Sequence, residues 1–242
     1  MKVSVVVPVF NEAGTIEEVV RRLAGLGLEL EVILVDDASG DGTWAAVKRA
    51  QACHACVGRV LRHPTNRGKG AAVRTGFAAA SGDLVVIQDA DLELDPEQIR
   101  DLVEPIAAGR AEVVYGSRFL HGRRGPWTSY AANRFLTWLT NRLFGLGITD
   151  METCYKAFRA SLLPRLRLTA ERFEIEPELT AEFARLGLRI HEVPVRYRPR
   201  ARHQGKKIRA WDGVIAIRML LRKWRERRSG PIAPSGPPPA GS

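Results

Sequence analysis

The chain has 242 residues, of which 45% are apolar and 26% charged, a composition that predicts one folded domain of ordinary size. Its 37 Lys and Arg residues outnumber its 27 Asp and Glu residues, so the net charge of +10 favours an anionic partner: nucleic acid, anionic lipid or a phosphorylated small molecule. The sequence has no apolar run that could span a membrane, no signal-peptide pattern and only three cysteines. These absences predict a cytoplasmic protein without a disulfide framework.

The excess positive charge lies in one segment of the chain. Residues 196–228 contain 13 Lys and Arg but only two acidic residues, whereas the rest of the chain has 24 basic and 25 acidic residues. After this segment, the Pro-, Gly- and Ser-rich residues 229–242 predict a disordered tail. We therefore expect a domain over residues 1–207 that is near-neutral up to residue 195, a basic helix over 208–228 and the tail.

Short β-branched runs alternate with helical patterns in the first half of the chain. Strands are predicted at residues 3–9, 31–35, 57–62, 84–88 and 112–115. Helical patterns lie between them, the first over residues 15–23 with Thr15 as a possible cap. This alternation predicts an α/β fold with a doubly wound, mostly parallel sheet similar to a Rossmann fold.

The second half of the chain is mainly helical in pattern. Helices are predicted at residues 127–144 and 175–186, followed by a short strand at 188–193. Residues 208–228 then predict an amphipathic basic helix suited to an anionic membrane surface, the alternative being a helix packed on the core with a solvated charged face. Its interleaved basic residues are Arg218, Arg222, Lys223 and Arg225.

An acidic motif follows the fourth predicted strand. Asp89-Ala90-Asp91, with Glu93 two residues further on, places alternating carboxylates in an extended segment. Such carboxylates can converge on a hard divalent cation, Mg²⁺ or Mn²⁺, which would stabilise negative charge on a departing phosphate. The alternative is a solvated acidic loop. Because ligands bind at the carboxyl edge of open α/β sheets, the position supports a metal site as much as the acidic loop, and both interpretations stay open here.

Two further motifs also lie where the predicted sheet would bind a ligand. Asp36-Asp37 ends the second strand, where a carboxylate can accept hydrogen bonds from ribose or base. The alternative is an aspartate that caps the following helix, a role that suits Asp41. Asn66-Arg67-Gly68-Lys69-Gly70 combines glycines with two cations at a helix N-terminus, which favours phosphate binding.

Several motifs, in this order, resemble those of family 2 glycosyltransferases, and most of all the dolichol- or polyprenyl-phosphate mannosyltransferases. They are residues 7–12 (VPVFNE), 35–39 (VDDAS), 66–70 (NRGKG), 89–93 (DADLE), 116–118 (GSR), 149–156 (TDMETCYK), 192–194 (EVP) and 205–208 (GKKI). The resemblance covers roughly residues 3–213. It implies a GT-A fold, inversion at the anomeric carbon and a nucleotide-sugar donor, with GDP-mannose first and UDP-glucose or a UDP-amino sugar as the alternative.

The resemblance also implies which residues contact the donor. Three positions would hold the nucleoside: Pro8, Glu12 and Asp37. Three carboxylates would hold Mg²⁺ or Mn²⁺, although many relatives have Gln at the last position: Asp89, Asp91 and Glu93. Three basic residues would close over the donor diphosphate: Arg200, with Lys206 or Lys207.

For the acceptor, the resemblance implies that Arg118 faces a polyprenyl phosphate. Relatives often have a second arginine about a dozen residues later, but this chain has Arg123-Arg124 and then Trp127, so the second position is unassigned. A phosphate acceptor is already anionic and needs no general base. A saccharide or small-molecule hydroxyl, the alternative acceptor, would need a carboxylate such as Glu174 or Glu176. The sequence favours a different role for both, as ordinary acids at a helix N-terminus.

The resemblance gives the basic segment two implied partners. Arg200, Lys206 and Lys207 would serve the diphosphate, and the remaining basic residues would hold the protein on the cytoplasmic face of an anionic membrane, where a polyprenyl acceptor lies. Nucleic acid is not an expected partner, because the chain has no recognised binding motif and no aromatic platform.

Overall fold

The computed structural model of the chain describes residues 1–120, 127–199 and 210–229, which are built around a seven-stranded sheet. The strands are β1 (Val3–Val9), β2 (Leu30–Asp36), β3 (Val57–Arg62), β4 (Leu84–Ile87), β5 (Val113–Ser117), β6 (Lys156–Arg159) and β7 (Ile190–Pro194). The helices are α1 (Ile16–Ala24), α2 (Thr43–Cys53), α3 (Lys69–Ala79), α4 (Ile99–Ala107), α5 (Trp127–Phe144), α6 (Ile175–Arg185) and α7 (Ala210–Ser229). Two 3₁₀ segments are Pro96–Gln98 and Ala160–Arg165.

The sheet is mostly parallel, in the order β3-β2-β1-β4-β6-β5-β7. Strand β6 alone among these seven runs antiparallel to its neighbours, β4 and β5. The sequence did not predict β6, because its four residues carry a charged side chain at each end, Lys156 and Arg159, and show no alternation. The doubly wound α/β fold itself is as predicted.

The predicted strands follow from their apolar runs. Val5, Val6 and Val7 in β1 have no exposed surface, and the four residues of β4 are equally buried, because the sheet has helices on both faces. Strands β1 and β3 have the predicted ends, and the ends of the other predicted strands differ by at most two residues. The predicted cap at Thr15 is wrong: its hydroxyl donates to the Glu12 carboxylate, at 3.0 Å, and no side chain caps α1.

The carboxyl edge of the sheet holds three non-glycine residues in the left-handed backbone region. They are Asn11 (φ 53°), Ala38 (φ 59°) and Leu92 (φ 60°), and they follow β1, β2 and β4. Residues other than glycine adopt this conformation at a cost and do so most often at functional sites. Hydrogen bonds across the edge contribute to holding it: the Asn11 N–H donates to Ser39 Oγ, and the Gly40 N–H donates to Asn11 Oδ1.

At the amino end of the sheet, the buried carboxylate of Glu31 joins three segments. It accepts hydrogen bonds from Ser4 Oγ of β1 (2.6 Å) and from the backbone N–H (2.9 Å) and hydroxyl (2.8 Å) of Ser81, just before β4. Burial raises the pKa of Glu31, but these hydrogen bonds outweigh burial and lower the pKa to about 2.

We expect Glu31 to stabilise the fold at neutral pH and to lose this effect in acid. Its stabilisation is fully present above its ordinary pKa of 4.5 and is lost as the pH falls toward 2, a shift worth roughly 3 kcal/mol. Glu31→Gln should therefore lower the Tm at pH 7 and weaken the dependence of Tm on pH below 4.5. Thermal unfolding measures both, and a loss no larger than that of Glu29→Gln, an exposed neighbour, would contradict the expectation.

Candidate active site

The register of the sheet brings the predicted site residues to its carboxyl edge. Val9 of β1 pairs with Asp36 of β2, and the Asp37 N–H donates to the Val9 carbonyl. On the other side of β1, Val6 pairs with Ile87, the last residue of β4. The segments that follow β1, β2 and β4 therefore meet at one edge, as the sequence predicted.

The buried carboxylate of Asp37 organises the following glycine-rich loop. It accepts backbone N–H groups of Arg67 (2.9 Å) and Gly68 (2.7 Å), and its Oδ1 lies 2.7 Å from Nδ1 of the buried His63. The structure thus gives Asp37 an internal role that the sequence did not indicate. Its contact with a nucleoside stays a prediction.

Two other residues predicted to contact the nucleoside lie at the end of β1. Pro8 is half-buried in the strand, and Glu12 is buried just beyond it, where its N–H donates to Thr43 Oγ1 at 2.8 Å. Asp41 accepts the backbone N–H of Thr43, the first residue of α2, at 3.0 Å, although the N-cap position itself is Gly42.

The glycines of the loop meet the backbone of another segment. A Cβ on Gly70 would lie 2.7 Å from the Ala170 carbonyl oxygen and 2.8 Å from that of Arg172. Gly68 has φ +95°, and a Cβ there would lie 2.5 Å from the Glu171 carbonyl oxygen. The sequence attributed these glycines to a phosphate, whereas the structure shows that they allow residues 170–172 to approach.

Lys69 begins a chain of alternating charges. Its Nζ lies 2.8 Å from Asp89 Oδ1 and 2.9 Å from Glu176 Oε1, and Glu176 Oε2 lies 2.5 Å from Nζ of the fully buried Lys156. Burial raises the pKa of Asp89, but the Lys69 ammonium outweighs it and holds this pKa below its usual range. Glu176 is thus a buried ion-pair partner.

Glu174, the other carboxylate considered as a base, closes a turn before α6. Its Oε1 accepts the backbone N–H groups of Glu171 (3.1 Å) and Arg172 (3.2 Å). Glu174 thus lies at the N-terminal end of α6 with its carboxylate bonded to the preceding turn.

The three predicted metal ligands do not converge. Among residues 1–120, 127–199 and 210–229, no three His, Cys, Asp or Glu side chains are arranged to hold a metal ion. Asp89 is paired with Lys69, Asp91 Oδ1 accepts the Glu93 N–H, and Glu93 Oε2 accepts the Tyr197 hydroxyl at 2.9 Å. The three-carboxylate set stays a prediction, and in this structure Glu93 is bonded to Tyr197 instead of facing the other two carboxylates.

A two-carboxylate set remains chemically suitable for a hard cation. Asp89 and Asp91 supply carboxylate oxygens just past β4, and Mg²⁺ typically binds one or two carboxylates together with substrate phosphates. A cation at Asp89 would be repelled by the Lys69 ammonium. This repulsion is relieved if the ammonium pairs with the substrate phosphates. The carboxylate oxygens of Asp89 and Asp91 are thus suitable ligands for Mg²⁺ or Mn²⁺.

Arg118, just past β5, is held in one orientation by Asp150. Its Nε and Nη2 donate to the two oxygens of that fully buried carboxylate at 2.7 and 2.8 Å. Burial lowers the pKa of Arg118, but Asp150 outweighs it and raises the pKa above its usual range, so the guanidinium stays charged. The Tyr197 ring lies 5.2 Å from the guanidinium carbon and connects Arg118 to Glu93.

The structure places a second arginine, which the sequence reasoning missed, against the same loop. Arg134 of α5 donates from Nη1 to the carbonyl of Thr149, the residue before Asp150, at 3.2 Å. Glu192 of β7 holds this turn from the other side by accepting the N–H groups of Thr149 and Asp150. The sequence signal for Arg134 is its spacing of sixteen residues after Arg118. A helical pattern also covers Arg134, so the sequence predicts it first as a helix residue.

The remaining predicted contacts lie outside the described residues. These are the donor-diphosphate residues Arg200, Lys206 and Lys207, together with the pair Arg123-Arg124.

Helix α7 packs on α5 and α6 with one face. Ala216, Met219 and Leu220 are buried there, and so is Lys223, whose Nζ lies 3.2 Å from Glu178 and 3.1 Å from Glu182. Lys223 was predicted on the cationic outer face, which is wrong because these two buried carboxylates bind it. The opposite face exposes Trp211, Val214, Arg218, Arg222 and Arg225. Within the described residues, no helix has the length and apolar composition needed to cross a bilayer.

We expect Gly70→Ala to destabilise the loop that carries Lys69. The added Cβ would overlap two carbonyl oxygens of residues 170–172, and relief of such overlap typically costs about 1–3 kcal/mol. Denaturant unfolding should show this loss, while the matched variant Gly147→Ala, whose Cβ meets nothing within 4 Å, should unfold like the wild type. Equal stability of the two variants would contradict the packing described.

A mostly parallel sheet with one antiparallel strand between β4 and β5, and carboxylates at its carboxyl edge, is the GT-A arrangement of nucleotide-sugar-dependent glycosyltransferases. The family model described as "Glycosyl transferase family 2" matches residues 4–167, more than half of the chain. The chain belongs to this family, and the predicted family, fold and enzyme class are confirmed.

Among curated relatives, the chain is 34% identical over 209 residues to the undecaprenyl-phosphate 4-deoxy-4-formamido-L-arabinose transferase of Edwardsiella ictaluri (strain 93-146). The match covers 84% of this chain and 62% of that relative, so the chain spans less than two thirds of the relative's length.

Among solved structures, the chain is similar to glucosyl-3-phosphoglycerate synthase from Mycobacterium tuberculosis. The complex of that enzyme with UDP has a TM-score of 0.72 and 27% identity, over 93% of this chain and 80% of that one. A complex with Mn²⁺, UDP-glucose and phosphoglyceric acid has the same TM-score and coverage and 26% identity. Another contains Mg²⁺ and UDP.

Proposed function

We propose that the protein transfers a sugar, with inversion, from a nucleotide-sugar to the phosphate of a polyprenyl acceptor. The observation that carries this proposal is the Asp150-bound guanidinium of Arg118, at the same sheet edge as the carboxylates of Asp89 and Asp91. A fixed cation suits an acceptor phosphate, and a carboxylate pair suits the metal of a donor diphosphate. Arg134, against the same turn as Asp150, is the second acceptor-phosphate arginine in this proposal.

The named relatives support a phosphate-bearing acceptor. The Edwardsiella ictaluri relative is named for undecaprenyl phosphate, and the mycobacterial enzyme is crystallised with phosphoglyceric acid. Both carry the anionic group that a bound arginine recognises. We place the lipid acceptor first, because the relative that is more similar in sequence has it in its name.

Two donors have support. The subgroup resemblance favours GDP-mannose, whereas the structural neighbours are crystallised with UDP and UDP-glucose. We place a UDP-sugar ahead of GDP-mannose, since the UDP complexes cover 93% of this chain. Pro8, Glu12 and Asp37 are proposed to contact the nucleoside in either case.

In the proposed reaction the chain holds the two substrates and manages their charge. Asp89 and Asp91 would hold Mg²⁺ or Mn²⁺, which neutralises the negative charge of the donor diphosphate. Arg118 orients the acceptor phosphate, and Asp150 keeps its guanidinium in place. Arg200, with Lys206 or Lys207, is proposed to close over the diphosphate.

Two helices expose aromatic side chains that suit a bilayer surface. Phe135 and Trp138 of α5 stack at 6.0 Å and are 51% and 59% exposed, and Trp211 of α7 is 61% exposed. Trp211 shares its face of α7 with basic side chains, and the guanidinium of Arg218 lies 5.9 Å from its ring. Aromatic and basic side chains together favour the headgroup region of an anionic membrane, so we propose peripheral docking there, on the cytoplasmic side.

We expect sugar transfer to extracted polyprenyl phosphate, measured as labelled product in the organic phase after incubation with labelled UDP-sugars or GDP-mannose and Mn²⁺. Asp91→Ala should reduce the rate by at least about 100-fold, because the diphosphate loses its counter-charge. Asp101→Ala, at an exposed acid on α4, is the matched control and should retain the rate.

Three results of this assay would count against the proposal. Product found only in the aqueous phase, with a saccharide acceptor, supports the hydroxyl-acceptor alternative. Full activity of Asp91→Ala contradicts the metal site. Transfer only from GDP-mannose reverses the order of donors.

Membrane docking predicts that the exposed aromatic residues contribute to vesicle binding. The double variant Trp138→Ser/Trp211→Ser should bind phosphatidylglycerol-containing vesicles several-fold more weakly than the wild type, and added salt should weaken wild-type binding because the basic residues contribute. Sedimentation with vesicles measures this. Trp44→Ser, at a half-buried tryptophan of α2, is the control, and equal binding by all three proteins would refute docking through these helices.

A further inference from the structure

The turn before β6 is fastened by internal contacts at most of its residues. Asp150 is bound to Arg118, and the Met151 N–H donates to Thr137 Oγ1 at 3.1 Å. The ammonium of Lys156 donates to the carbonyls of Met151 and Thr153. The backbone around residue 152 is therefore held in one position by its neighbours.

Glu152 differs from these neighbours. In the part of the chain that the structure describes, its Oε1 is buried and has no hydrogen-bond partner. A buried polar atom is normally paired, because an unpaired one costs free energy. The Glu152 carboxyl is thus prepared to bind a proton or the donor group of a ligand.

Charged groups face Glu152 from three elements besides its own turn. Lys156 of β6 and Arg118 at the end of β5 favour its ionised form, whereas Glu176 of α6 and Asp150 disfavour it. Burial is the largest influence, and together these effects raise the pKa of Glu152 to about 7. Carboxyl groups with a pKa near the working pH are effective in general acid–base chemistry.

The other carboxylates around the turn are already engaged. Asp150 binds a guanidinium, Glu176 binds two ammonium groups and Glu192 accepts two backbone N–H groups. Glu152 lies two residues from Asp150, which places it close to the guanidinium proposed to bind the acceptor phosphate.

We infer that Glu152 accepts the proton of the attacking O–H group of the acceptor, an inference that rests on the proposed sugar transfer. In this step the acceptor O–H bond breaks and its oxygen forms a bond to the anomeric carbon of the sugar. The bond between that carbon and the diphosphate oxygen breaks, and its electron pair leaves with the diphosphate. The proton ends on the Glu152 carboxylate, so no further reactant is needed.

The same chemistry serves two kinds of acceptor. A phosphate monoester has a second pKa of about 6, so part of it still carries a proton near neutral pH, and that P–OH is one source of the O–H group. A saccharide hydroxyl, or water in slow donor hydrolysis, is the other. Glu152 therefore allows the protonated form of a phosphate acceptor to react as well.

The test compares wild type, Glu152→Gln and Glu152→Asp in the transfer assay between pH 5.5 and 8.5, with polyprenyl phosphate, a saccharide or water as acceptor. Wild-type kcat should rise with pH and level off above about 7, because the deprotonated carboxylate accepts the proton. With a saccharide or water as acceptor, Glu152→Gln should lower kcat by at least about 100-fold and remove this dependence, and Glu152→Asp should restore part of both. With polyprenyl phosphate, whose dianion needs no base, the loss should be confined to the acid end of the range, where the phosphate is protonated. Thermal stabilisation by UDP and Mn²⁺ should be unchanged.

A wild-type kcat and pH profile in Glu152→Gln would overturn the inference, as would a loss of kcat together with the loss of stabilisation by UDP and Mn²⁺. Failure of the lipid acceptor alone contradicts the proposed function, and the saccharide and water reactions then still test Glu152. Infrared difference spectra between pH 6 and 8 provide a readout without turnover. A protonated-carboxyl band should decrease with pH in the wild type and be missing in Glu152→Gln, and its absence from the wild type would overturn the inference.

Discussion

The arrangement of the site depends on a chain of alternating charges that runs from the half-buried Asp89 and Lys69 to the buried Glu176 and Lys156. These residues belong to the end of β4, the start of α3, the start of α6 and the start of β6. A buried charge is costly unless it is paired, so each of the four fixes the position of the next. Two carboxylates and two ammonium groups balance one another, which lets the sheet edge hold an ionised Asp89 close to the core.

The antiparallel strand β6 divides the carboxyl edge of the sheet into two sides. It separates β4, which leads to Asp89, from β5, which leads to Arg118. Two strand spacings place these ends about 10 Å apart, a separation that suits two substrates lying side by side. Tyr197 connects the two sides, because its hydroxyl donates to Glu93 while its ring lies against the Arg118 guanidinium.

The sequence predicted the features that follow from a local residue pattern. It missed those that follow from contacts between residues distant in sequence. Strands β1, β2 and β4 were predicted because their apolar runs are continuous, whereas β6 begins with a lysine, Lys156, that is buried only because Glu176 binds it. Lys223 was predicted to be exposed for the same reason: its partner Glu178 lies 45 residues away. The motif residues were found, but their contacts, such as that of Asp37 with the loop of Gly68, follow from tertiary packing.

The three left-handed residues at the carboxyl edge affect how conformational free energy is distributed over the molecule. At Ala38 and Leu92 this backbone conformation costs of the order of 1 kcal/mol or more each. A chain selected for stability alone would favour glycine at both positions. Glu31 thus stabilises the amino end of the sheet. The carboxyl edge, where substrates would bind, contains strained backbone. The cost of these conformations at the carboxyl edge is offset by contacts elsewhere in the fold, among them those of Glu31.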